Sequence, residues 1–81
     1  MLHTLAKSPT AADLTTLCAI AGNNDAILLL QDGVLCGLVN THSLEKLISA
    51  STSLYALKAD VIARGLSARI SSNIVLLDYN Q

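Results

Sequence analysis

Residues 25–31 read Asp25-Ala26-Ile27-Leu28-Leu29-Leu30-Gln31, an unbroken aliphatic run between polar ends. A strand with one wet face alternates apolar and polar residues. This run does not alternate, which predicts a parallel strand buried on both faces. Asp32-Gly33 marks a sharp exit from it. Ser53-Leu54-Tyr55-Ala56-Leu57-Lys58 and Ile74-Val75-Leu76-Leu77-Asp78-Tyr79 repeat the strand pattern, and Met1 to Leu5 supplies a short first strand. Four strands are therefore expected.

The intervening stretches read as helical. Ser8 and Pro9 suit the start of a helix. Leu14, Leu17, Cys18 and Ala21 then recur at i, i+3, i+4 and i+7 on one face, and Gly22-Asn23-Asn24 ends it. Val34, Leu35 and Leu38 suggest a short second helix, and Leu44, Leu47 and Ile48 another turn. Asp60 is placed to cap a helix that closes at Gly65. Strands alternating with helices imply right-handed crossovers and a parallel sheet. The expected fold is one α/β domain over residues 1–81. It is a three-layer, flavodoxin-like or Rossmann-like arrangement around a mainly parallel four-stranded sheet. No helical pattern follows the last strand, which leaves part of one sheet face without cover of its own.

Composition narrows the function classes. Apolar residues make up 52% of the 81 positions and charged residues only 14%. A chain of this size hides roughly 60% of its unfolded surface. The apolar excess has two readings, a densely filled core or surface that meets another subunit. Net charge is -1, and Lys7, Lys46, Lys58, Arg64 and Arg69 form no run. The basic patch that grips nucleic acid is missing. The N-terminus shows no signal-peptide pattern, and Ala26–Leu30 is far too short to span a bilayer. A soluble, cytoplasmic protein with reduced thiols is expected.

Ligands of open parallel sheets bind beyond the carboxyl ends of the strands. That rule nominates Lys7, Ser8, Gln31, Asp32 and Lys58, with Asp78 and Tyr79 at the last strand. The same residue types also serve as caps and turn formers. The first strand-to-helix turn lacks a glycine-rich phosphate loop, so no nucleotide cofactor is expected. Cys18 and Cys36 match no metal or redox spacing, and His3 and His42 stand alone, so no metal site is expected. Surface or strand-edge positions suit both histidines. Cys18 falls on the apolar face of the first helix, where packing competes with thiol chemistry. Cys36 reads as packing. Arg64 suits either a carboxylate across an interface or the end of its own helix. Ile74, Leu76 and Tyr79 suit either a neighbouring subunit or the core.

Three segments carry a resemblance. They are Leu2-His3-Thr4 with Lys7-Ser8-Pro9; Leu28-Leu29-Leu30-Gln31-Asp32-Gly33-Val34; and Tyr55-Ala56-Leu57 followed by Asp60, Ala63-Arg64-Gly65-Leu66, Ile70-Ser71 and Asp78-Tyr79. In order and spacing the chain resembles the TusB/DsrH family along its whole length. The resemblance implies a three-layer α/β subunit that joins TusC-like and TusD-like relatives in a heterohexamer. There, persulfide sulfur moves toward a TusE-like carrier and into the 2-thio group of the tRNA wobble uridine. It further implies that the catalytic cysteine belongs to the TusD-like subunit, while the TusB-like subunit is mainly architectural and not catalytic alone. In the DsrH branch, which serves sulfur oxidation, a cysteine lies in the first helix, and Cys18 occupies a similar position. Members of the family continue from the Asp-Tyr strand into a C-terminal helix, whereas this sequence stops at Gln81. A homo-oligomer of unrelated role, such as a homodimer, is the remaining alternative.

Overall fold

The computed structural model describes residues 2–8, 14–20, 25–50 and 53–78. Strands β1 (Leu2–Leu5), β2 (Ala26–Leu29), β3 (Ser53–Leu57) and β4 (Ile74–Leu77) form one sheet in the order β1-β2-β3-β4, and every pairing is parallel. Helix α1 (Leu14–Ile20) lies between β1 and β2. A 3-10 helix (Gln31–Gly37) and α2 (His42–Ser49) lie between β2 and β3, and α3 (Lys58–Ala63) between β3 and β4. The expected α/β class stands: a four-stranded, wholly parallel sheet carrying helices, consistent with a three-layer flavodoxin-like fold of which the described helices form one of the two helical layers. No described helix is long and apolar enough to cross a membrane.

The order of the strands decides where the helices go. When consecutive parallel strands are neighbours and every crossover is right-handed, all crossovers fall on the same face. The core agrees. Its sheet residues are Leu5, Ile27, Leu29, Leu54, Ala56 and Ile74, all on one face by register. They pack with Leu14 of α1, Val34 and Cys36 of the 3-10 helix, Leu44 and Leu47 of α2, and Val61 of α3. The opposite face carries Leu2, Leu28, Tyr55 and Val75, none of them buried. The run through β2 is thus buried on one face and only half-covered on the other, where double burial was expected. Ile27 and Leu29 are wholly inaccessible, whereas Leu28 is half-buried.

Local chemistry sets the ends of the elements. Thr41 caps α2: its Oγ1 accepts from the Leu44 amide at 3.3 Å and donates to the Leu38 carbonyl at 2.7 Å. Gly65 takes φ +67 beyond α3, the left-handed conformation that ends helices. Gly33 sits so close to β1 that a Cβ there would lie 1.8 Å from the Leu5 carbonyl oxygen. The expected second helix is present as the 3-10 turn. The expected cap at Asp60 is not: Leu57 is the N-cap of α3, without a side-chain bond, and Asp60 lies inside the first turn. The proposed start at Pro9 and stop at Gly22-Asn23-Asn24 fall outside the described residues.

Candidate functional site

The carboxyl ends of the four parallel strands bring together part of the expected set. Directly after β2 the chain turns at Gln31, which holds φ +50. A non-glycine residue pays about 1 kcal/mol or more for that conformation. Its amide donates to Asp60 Oδ2 at 2.7 Å, which anchors the turn on the first turn of α3. Arg64, one helical turn beyond Asp60, donates from Nε (3.3 Å) and Nη2 (3.1 Å) to Asp32 Oδ1. Its Nη1 donates to the Asp60 carbonyl at 3.2 Å and lies 3.7 Å from Asp60 Oδ1. One guanidinium therefore ties the 3-10 helix to α3 and answers two carboxylates. The carboxylate that Arg64 pairs with belongs to its own chain, and its other contact is a carbonyl of its own helix.

Lys7 and Lys58 are exposed at the same end, Ser8 is half-buried and Asp78 is exposed. Tyr79 lies outside the described residues. A crevice for a ligand opens in such sheets where the strand order reverses and neighbouring crossovers diverge onto opposite faces. The order β1-β2-β3-β4 contains no reversal. The strand ends present a surface of matched charges here.

Ile74 and Leu76 sit on the helix-covered face of β4. Ile74 is buried in the core and Leu76 packs against it. The outward positions on this strand are Val75 and Leu77, because side chains alternate along it. Of the two readings left open for Ile74 and Leu76, their positions in this chain match the core.

The two thiols differ in access and agree in chemistry. Cys18 lies in the second half of α1, half-buried, and its Sγ–H donates to the Lys46 carbonyl of α2 at 3.5 Å. Burial raises its pKa, and the nearby Lys46 charge offsets that only partly. Cys36 is fully buried in the 3-10 helix, with Sγ 3.9 Å from the Lys7 carbonyl oxygen. Burial pushes its pKa up to about 11. Both environments favour the neutral thiol over the nucleophilic thiolate.

Sequence reasoning missed the ion pair of His3 as well as the long-range contacts of Gln31 and Arg64. His3 was expected at the surface or a strand edge. It does lie on edge strand β1, but its side chain is only 12% exposed and Nε2 donates to Asp25 Oδ2 at 2.8 Å. The partners are 22 residues apart, and no local pattern joins them. His42 is exposed as expected. Among the described residues, no three His, Cys, Asp or Glu side chains are grouped to hold a metal ion.

Fold and site together define a small parallel α/β protein whose described helices cover one sheet face, with a charge-matched strand-end surface and two thiols that burial shifts toward the neutral form. A family model described as "DsrH like protein" matches residues 7–81. The chain is 44% identical to "Protein TusB" of Pectobacterium parmentieri over 81 residues, which is 100% of this chain and 85% of that protein. It is 49% identical to "Protein TusB" of Serratia proteamaculans (strain 568) over 80 residues, covering 99% and 84% of the two chains. For "Protein TusB" of Escherichia coli (strain K12 / DH10B) the identity is 46% over 79 residues, covering 98% and 83%. The chain belongs to the TusB/DsrH family.

Proposed function

We propose that this chain is a non-catalytic subunit of a TusBCD-like sulfurtransferase complex, which relays persulfide sulfur for 2-thiolation of the tRNA wobble uridine. Family membership along the whole chain carries this reading. The thiols support an architectural role. A persulfide carrier needs a thiolate at working pH, and burial works against that at both cysteines. TusC-like and TusD-like subunits are the partners, with a TusE-like carrier downstream, all in the cytoplasm. Co-expression with TusC-like and TusD-like proteins followed by native mass measurement tests the reading. A heterotrimer or heterohexamer is expected, and a chain that ignores both candidates overturns it.

A second reading has one observation in its favour. Cys18 is only half-buried, and the Lys46 charge pulls its pKa toward the reactive range. In this reading Cys18 carries persulfide in a DsrH-like sulfur-oxidation pathway. The sulfane sulfur of a donor persulfide bonds to the Cys18 thiolate as the donor's own S–S bond breaks and its thiolate leaves. Mass spectrometry after incubation with a persulfide donor decides it. A gain of 1 sulfur atom, lost in Cys18→Ser, supports the carrier; an unchanged mass removes it.

A further inference from the structure

Asp32-Gly33 is the only place in the sequence where an Asp or Asn precedes glycine. Such a pair has a chemistry of its own. The Gly33 amide nitrogen attacks the side-chain carboxyl carbon of Asp32: an N–Cγ bond forms, the C–OH bond breaks, and water leaves. Water then reopens the five-membered imide at either carbonyl. Opening at the main-chain carbonyl routes the backbone through the side chain. Asp32 is then isoaspartate, with one more carbon in the main chain and no change of mass. Glycine favours the reaction because no Cβ crowds the nitrogen and the chain there turns freely.

The closed turn opposes each step. Gly33 N–H donates to the Leu30 carbonyl at 2.9 Å, so the attacking nitrogen is already engaged. Asp32 Oδ1 accepts from Arg64 Nε at 3.3 Å and Nη2 at 3.1 Å, which ties the carboxylate to α3. Both residues lie in the 3-10 helix, where ψ is about −20 to −30°. Imide closure needs Cβ and the next nitrogen eclipsed across the Cα–C bond, and that ψ keeps them apart. Water is at hand, since the Asp32 side chain is 65% exposed. Silence at this site therefore depends on the turn staying shut. Gln31 beside it holds φ +50, which opening relieves. The bonds that close the turn, from Gln31 to Asp60 and from Arg64 to Asp32, are at exposed positions, where local opening concentrates.

The product no longer fits. Gly33 is buried against β1, where even an added Cβ would run into the Leu5 carbonyl oxygen. A main chain lengthened by one carbon just before Gly33 displaces it from that seat.

We infer that Asp32-Gly33 is a site of spontaneous isoaspartate formation, held silent by the closed 3-10 turn with Arg64 as its latch, exposed when that turn opens locally, and yielding a chain that no longer seats against β1. This inference does not rest on the relay reading.

The full chain is kept for days under reducing conditions at physiological temperature and pH, either native or unfolded in guanidinium chloride. Isoaspartate at position 32 is read by methylation with a protein isoaspartate methyltransferase and by lost endoproteinase Asp-N cleavage before that residue. The unfolded chain should accumulate it at least about 10-fold faster than the native one. Arg64→Ala and Asp60→Ala should each speed the native reaction, Arg64→Ala by about 2- to 5-fold. Thr41→Ala weakens the chain at the cap of α2 instead and should leave the rate unchanged. Asp32→Glu, whose imide needs a six-membered ring, should abolish the signal at this position. The isomerised fraction, separated by reversed-phase chromatography, should melt below the unmodified chain. No isoaspartate at position 32 in the unfolded chain, equal rates in native and unfolded chains, or an unchanged rate in Arg64→Ala overturns the inference. Equal acceleration by Thr41→Ala, or identical melts of the isomerised and unmodified chains, also overturns it.

Discussion

Arg64 grips Asp32 with two of its nitrogens on a single carboxylate oxygen, although 32 residues separate them in sequence. The pair joins the turn after β2 to the helix after β3. Asp32 is 65% exposed, so solvent screens the attraction. Arg64→Ala should cost about 0.5–1 kcal/mol in urea unfolding. Arg64→Lys keeps the charge without the planar fork and should recover less than half of that loss.

Asp60 should matter more than Asp32. Its side chain is 17% exposed and accepts the Gln31 amide in the left-handed turn. Asp60→Ala removes the partner of that amide and one contact of Arg64. A loss of about 1–2 kcal/mol is expected, with faster hydrogen exchange at Gln31 and no change at β1. Equal losses from Asp60→Ala and Asp32→Ala would show that the Gln31 anchor adds nothing.

The glycines separate steric from conformational demand. Gly33→Ala drives a Cβ into the Leu5 carbonyl, a backbone atom that cannot swing aside. A loss of about 3 kcal/mol or more is expected, or failure to fold. Gly65→Ala meets no atom within 4 Å and bears only the left-handed φ, about 1 kcal/mol. Thermal melts of the two variants should rank in that order.

Thiol chemistry should follow burial. Alkylation near pH 7 should be slow at both cysteines and slower at Cys36, the more buried of the two. Cys36 also ties stability to alkaline pH. Its folded pKa is raised to about 11, so its contribution is complete below the unfolded thiol's pKa. That contribution falls as pH rises from the ordinary thiol range through about 11. Cys36→Ala should lower stability at neutral pH through the lost packing and flatten the alkaline limb. An unchanged limb would assign the loss to other groups.

The Thr41 cap gives a local check on α2. Its hydroxyl serves the Leu44 amide and the Leu38 carbonyl together. Thr41→Ala should cost about 1–2 kcal/mol, and Thr41→Ser should restore most of it.

Much of this architecture is written in local pattern. The aliphatic run of β2, its Asp32-Gly33 exit, the spacing of Leu14, Leu17 and Cys18, and Gly65 after α3 each reflect short-range chemistry. They identify strands, helix and stop without knowledge of the neighbours. The strand-end residues were likewise nameable, because parallel strands end on one side whatever their order. Gln31–Asp60, Arg64–Asp32 and His3–Asp25 had no such signal, since their partners are 22 to 32 residues apart.

By itself the sequence determined four strands, their parallel sense and the helices between them, because periodicity and turn chemistry act within a few residues. Which sheet face is buried was decided only in three dimensions. Alternation assigns Ile74 and Val75 to opposite faces but cannot say which one the helices cover. That follows from the strand order β1-β2-β3-β4, which sends every right-handed crossover to the same side. Ile74 then enters the core, and Val75 is left facing outward.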